Sequence, residues 1–168
     1  MASLLKRILP GLRGRRVHAR LMIEPPKPVG EGWLIRLRCQ NPGAPGEFHA
    51  EIVAVEGATS SQSGLPWKLL WRGQSVSRPV RLQTRGGELL RLAIFHPAEP
   101  STFVLLGASP DGTAEVRRHV DGASGIVVTV RVRRGNRVDA EKRIHLSARH
   151  GDGRPFIPIV TDGTGAWT

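Results

Sequence analysis

The stretch "SGIVVTVRVRR", residues 124–134, puts Ile126, Val128, Val130 and Val132 on one side of an extended chain and Thr129, Arg131 and Arg133 on the other. A period of two is the mark of a strand with one buried face, because successive side chains of a strand point to opposite faces of the sheet. The same alternation recurs along most of the chain. "RVHARLMIE" aligns Val17, Ala19, Leu21 and Ile23, and "GWLIRLRCQ" aligns Trp33, Ile35, Leu37 and Cys39 opposite Arg36 and Arg38. "EFHAEIVAV" sets Phe48, Ala50, Ile52 and Ala54 against His49, Glu51, Val53 and Val55. "ELLRLAIFH" alternates through Leu90, Leu92 and Ile94, and "AEKRIHLSA" through Ile144 and Leu146. "STFVLLGAS" and "RPVRLQTRGG" read as further short strands.

Between these runs stand "EPPKPVGEG", "NPGAPG", "GATSSQSGLP", "PDGT" and "RGNRVD", all rich in the residues that make turns. No helical stretch of the 10 to 15 residues needed for parallel crossovers separates the strands. The expectation is an all-β antiparallel sandwich of seven to nine strands. At 168 residues one domain suffices, and a chain of this size buries roughly 70% of its extended surface. Three segments follow: a basic amphipathic leader over residues 1–15, a sandwich over 16–150, and a Gly-rich tail over 151–168.

The pairing of "WLIRLRCQNPG" with "FHAEIVAV", the Gly-Gly turn into "ELLRLAIF", and "GIVVTVRVRR" followed by "KRIHLSA" resemble bacterial immunoglobulin-like modules of the fibronectin type III and cell-adhesion kind. The likeness spans about residues 16–149. It implies an immunoglobulin-like sandwich used for binding rather than catalysis. The Cys-Trp-Cys signature of antibody domains is missing, since Cys39 is the one cysteine.

Catalytic chemistry finds few candidates. Cys39 falls on an inward face, where a thiol packs as a small hydrophobe. The serines of "TSSQSG" and "GQSVS" lack a nucleophile-elbow setting. The histidines, His18, His49, His96, His119, His145 and His150, form no ligand pair at strand spacing. Asp-Gly steps in "SPDGTAE", "HVDGAS" and "HGDGRP" are turn formers. The expectation is a protein with no catalytic residues, no metal and no cofactor.

Charge is the other strong feature. Twenty-five Lys and Arg against 14 Asp and Glu give +11, of which the first 20 residues carry +6. Such a balance favours acidic partners, although an Arg-, Ala-, Gly- and Pro-rich usage also follows from a GC-rich coding sequence. In the leader "SLLKRILPGLRGRR", Leu4, Leu5, Ile8, Leu9 and Leu12 form one apolar stripe beside Lys6 and Arg7, with Arg13, Arg15 and Arg16 beyond Pro10 and Gly11. Its charge deepens after the apolar part, the reverse of a secretory signal, so a cytoplasmic location is expected.

Two sets of contact residues emerge. Leu4, Leu5, Ile8 and Leu9, with Trp67 and Trp71 of "LPWKLLWRG", are candidate anchors for a protein partner. Lys6, Arg7, Arg13, Arg15 and Arg16, with Arg131, Arg133, Arg134 and Arg143, are candidate contacts for nucleic acid or an anionic membrane surface. The first set points to a binding or assembly module, and the second to a polyanion binder.

Overall fold

The computed structural model describes residues 17–151 and 154–163, and in them the chain forms strands and turns with no helix. Thirteen strands run in order: β1 (Arg20–Ile23), β2 (Lys27–Val29), β3 (Gly32–Gln40), β4 (Gly46–Glu56), β5 (Trp67–Lys68), β6 (Leu70–Trp71), β7 (Val80–Leu82), β8 (Gly87–Phe95), β9 (Thr102–Ala108), β10 (Glu115–Asp121), β11 (Ile126–Arg134), β12 (Arg137–Gly151) and β13 (Arg154–Asp162). Every pairing between them is antiparallel.

They make two sheets. Sheet A has the order β1-β3-β8-β9-β10, with β2 also on β3 and β6 also on β8. Sheet B has the order β13-β12-β11-β4-β5, with β7 also on β4. One core lies between them, built from Ile35, Leu37, Cys39, Leu90, Phe95, Phe103 and Leu105 of sheet A and Phe48, Ile52, Val128, Val130, Val132, Ile144 and Leu146 of sheet B. The fold is thus a two-sheet all-β sandwich whose inner faces are the alternating apolar residues of the sequence.

Four register shifts interrupt the ladders, and two of them decide which apolar residues of β8 and β4 face the core. Between Ile35 and Arg36 of β3 the register on β8 slips by one residue, so Arg36 opposes Arg91 and Ile35 opposes Ala93, with Leu92 extra. Ala93 and Phe95 therefore join Leu90 and Leu92 in the core, and Ile94, expected on that face, turns to the outside. A second slip on β4 opposite Thr129/Val130 brings Val55 against the core in place of Ala54. A bulge adds a residue to one strand alone, which inverts the facing of everything beyond it.

The turn after β3 is tied by Asn41, which is fully buried. Its amide nitrogen donates to Ala44 O at 2.9 Å and to Leu82 O and Gln83 O at 3.3 Å, while its Oδ1 accepts from Gly43 N at 3.1 Å. Its backbone N donates to Gly86 O, and its carbonyl accepts from Arg85 N at 2.6 Å. One side chain thereby joins the β3–β4 and β7–β8 turns. The segment expected as a tail contributes β13, which pairs with β12 across the boundary expected at residue 150. The leader residues Leu4, Leu5, Lys6, Arg7, Ile8, Leu9, Arg13, Arg15 and Arg16 lie outside the described residues. No helix among the described residues is long and apolar enough to cross a membrane.

Candidate binding surface

Trp67 and Trp71 are core residues. They are 5% and 1% exposed, and "WKLLW" passes from sheet B to sheet A through β5 and β6, filling the space at their margin. Trp67 Nε1 donates to Ser63 O at 3.0 Å, and the Arg118 guanidinium stacks 4.5 Å over its ring. The expectation that these indoles anchor a partner is therefore corrected: both faces of the sandwich margin needed filling, and the largest apolar side chains fill it.

The arginine ladder of sheet B is present, but it is matched by carboxylates on the same outer face. Arg131 donates to Glu141 at 2.8 Å and approaches Glu51 within 4.0 Å. Arg133 donates to Glu51 at 2.7 Å, and Arg143 reaches across β11 to Glu56 at 2.8 Å. Arg134 donates to Pro45 O and lies 5.6 Å over the Phe48 ring. Lys142 pairs with Asp162. The local alternation of β11 and β12 reveals the cations of this face, whereas their pairing with Glu51, Glu56 and Glu141 depends on which strands lie side by side.

Sheet A differs. Its outer face carries Arg36, Arg38, Arg91 and Arg117 over a floor in which Leu70, Leu89, Val104 and Leu106 are buried outside the central core. Glu24 holds Arg38 at 2.6 Å and raises its pKa further. Glu115 accepts from Arg91 at 2.9 Å and lies 3.7 Å from Arg117. At the margin of this face, Ile94 and Val104 floor an open cleft of about 380 Å³ rimmed by His96, Glu99, Arg117 and His119.

One edge of sheet A is β10, whose apolar alternation is interrupted by Arg118 at an inward position between Val116 and Val120. Burial lowers the pKa of Arg118, whose guanidinium lies over the Trp67 ring and donates to Ala108 O at 3.3 Å. The bonds flanking the strand set its phase. Ser109 N donates to Ala114 O and Gly122 N to Ser101 O, both at positions where even-numbered residues meet β9. Hydrogen-bonded pairs alternate in an antiparallel ladder, so Val116, Arg118 and Val120 bond β9, and Glu115, Arg117, His119 and Asp121 aim their N–H and C=O outward. The Asp121 carbonyl is capped by Thr59 N at 2.8 Å. Residues 115, 117 and 119 are left with a free backbone edge among the described residues.

The other three edges are blunted. β1 and β2 are four and three residues long, broken by Pro25 and Pro26. β5 and β7 have two and three residues. β13 has nine, but Gly163 N donating to Arg143 O sets its phase so that Pro158 falls on the open side, where no N–H is presented.

Cys39 is buried, and burial pushes its thiol up to about 12, with Asp139 adding to the shift. Near it an open cleft of about 340 Å³ is lined by Val17, His18, Gly43, Arg134, Arg137 and Asp139. Among the described residues no three His, Cys, Asp or Glu side chains stand close enough to hold a metal ion. Compared with protein-family models, curated proteins and solved structures, the chain matches none.

Proposed function

We propose that this chain is a non-catalytic protein-binding module of the immunoglobulin-like type, which takes up an extended segment of a partner along β10. The strand order supports the type. β1-β3-β8-β6 stand as the A, B, E and D strands of one immunoglobulin sheet, and β4-β11-β12 as C, F and G of the other. β5 and β7 occupy the C′ side of β4, β9 and β10 are an addition between E and F, and β13 is an addition beyond G.

The observation that carries the binding reading is the free backbone of β10 at residues 115, 117 and 119, the one long edge of the sandwich without a proline or a covering strand among the described residues. An added strand gains main-chain hydrogen bonds from such an edge and specificity from nearby side chains. The inward charge of Arg118 works against pairing of two copies of the strand. The outward positions of β10 carry Glu115 and Asp121 beside Arg117 and His119, so what favours an acidic partner is the +11 charge of the chain rather than this strand alone.

Polyanion binding is the second reading, favoured by the charge concentrated before Glu24. Arg131, Arg133 and Arg143 serve it poorly, since their charges are matched within the sheet. Capture from the native cell separates the readings. Arg117→Pro and His119→Pro remove outward N–H groups without touching the β9 ladder, and each should abolish recovery of a defined protein set that survives high salt. Recovery of nucleic acid or lipid alone, lost steeply as salt rises and unaffected by either proline, would favour the polyanion reading instead.

A further inference from the structure

The open cleft of about 340 Å³ lies beside the lead-in to β1, and β1 and β10 are opposite edges of sheet A. Arg134 of β11 and Arg137 of β12 both line it. They are cross-strand partners, which sets their Cα atoms about 5 Å apart. Arg134 keeps the inward phase of Val132, and its guanidinium lies 5.6 Å over the Phe48 ring and donates to Pro45 O at 2.8 Å. Gly46 makes room for it, since a Cβ there would collide with Arg134 Nε. Arg137 is exposed, and its side chain has no hydrogen bond or ion pair among the described residues. Like charges placed opposite one another repel, and no carboxylate among the described residues pairs with either arginine. The carboxylate on the lining, Asp139, is 15% exposed and engaged with the wall. Its Oδ2 accepts from Ala19 N at 2.8 Å, and its Oδ1 lies 3.8 Å from His18 Nδ1. The facing turn is fixed as well, because Asn41 holds Gly43 N at 3.1 Å and Ala44 O at 2.9 Å.

We infer that this cleft binds the phosphate group of a small phosphomonoester, held between Arg134 and Arg137. A guanidinium offers paired N–H donors that match phosphate oxygens in charge-assisted hydrogen bonds. Two of them on facing strands approach an anion from different sides, which suits the three terminal oxygens of a tetrahedral phosphate better than the two coplanar oxygens of a carboxylate. Two guanidinium charges on the lining exceed the single charge of Asp139. The cleft has the size of a small-molecule site, and Val17 and Ala44 give its wall apolar surface for the organic part of the ester. The site goes beyond the protein-binding reading and does not depend on it.

The test titrates the full chain at physiological chloride with phenyl phosphate, inorganic phosphate and benzoate in separate arms, followed by NMR. Phenyl phosphate should give saturable shifts of the Arg134 and Arg137 Nε–H and of the Gly43 and Ala44 amides, inorganic phosphate a weaker response, and benzoate the weakest. Arg137→Gln should weaken phenyl phosphate binding about tenfold, the worth of one charge-assisted hydrogen-bond partner, with an unchanged urea midpoint because Arg137 bonds nothing in the fold. Arg81→Gln, which changes an exposed arginine of β7, should leave binding within about twofold. The wild-type Nε–H signals carry the test should the Arg137 variant misfold. Unmoved signals at millimolar phenyl phosphate overturn the inference. Benzoate binding as tightly does so too, since it would mark a general anion site, as does an equal loss in Arg81→Gln, which would mark diffuse attraction to the +11 chain. Inorganic phosphate binding as tightly as phenyl phosphate would overturn the ester and make free phosphate the ligand.

Discussion

Asn41 is buried where two turns meet, and its amide serves three carbonyls. Asn41→Ala strands those carbonyls and the Gly43 N–H, each costing about 1–3 kcal/mol if left unsatisfied. Partial relaxation brings the expected loss to about 2–4 kcal/mol, read as a lower midpoint in urea denaturation. Cys39 is expected to resist thiol reagents in the folded protein and to react on unfolding, because burial holds its thiol at a pKa of about 12. In the β9–β10 turn, hydrogen bonds from Ser109, then from the Thr113 backbone and hydroxyl, hold the Asp111 carboxyl down at about 2, from 3.8. A depressed carboxylate stabilises the fold above its unfolded pKa, and that contribution is lost as pH falls through the folded value. The stability difference between the wild type and Asp111→Asn should therefore be constant above about pH 4 and close between about pH 4 and 2.

At the scale of elements, what the sequence discloses depends on whether a strand keeps one phase. β11 alternates without interruption, and its inner face of Val128, Val130 and Val132 is the one that alternation predicts. β8 cannot be read so, since the extra residue Leu92 is apolar like its neighbours and nothing in "ELLRLAIF" marks the bulge. β10 is hidden for another reason: its inward Arg118 is stabilised by the Trp67 face and Ala108 O, partners far away in sequence. Charge suffers the same limit. The arginines of β11 and β12 are visible as a stripe, whereas their neutralisation by Glu51 and Glu56 depends on β4 lying beside β11. Replacing Glu51, Glu56 and Glu141 together by Gln would release Arg131, Arg133 and Arg143. Such a variant should bind duplex DNA with a log–log salt slope steeper than the wild type by up to about 3, at roughly 0.9 per freed contact.

For the whole molecule, the sandwich holds because both sheets supply large side chains to one core, with Trp71 closing its margin at 1% exposure. Trp71→Ala should cost about 3–5 kcal/mol, and a loss far smaller in denaturant titration would mean that β6 is not part of the cooperative unit. Long-range pairing joins β3 to β8 and β4 to β11, so the edges are fixed by the global strand order rather than by any local signal. That order leaves β10 open at the side of a cation-rich face, and the binding account rests on it. The most direct measurement is amide hydrogen exchange of the full chain, free and with its captured partner. In the free protein Arg117 and His119 should exchange quickly and Arg118 and Val120 slowly; with partner bound, Arg117 and His119 should slow by orders of magnitude. Slow exchange at Arg117 and His119 in the free chain, or protection by the partner that bypasses β10, would contradict the account.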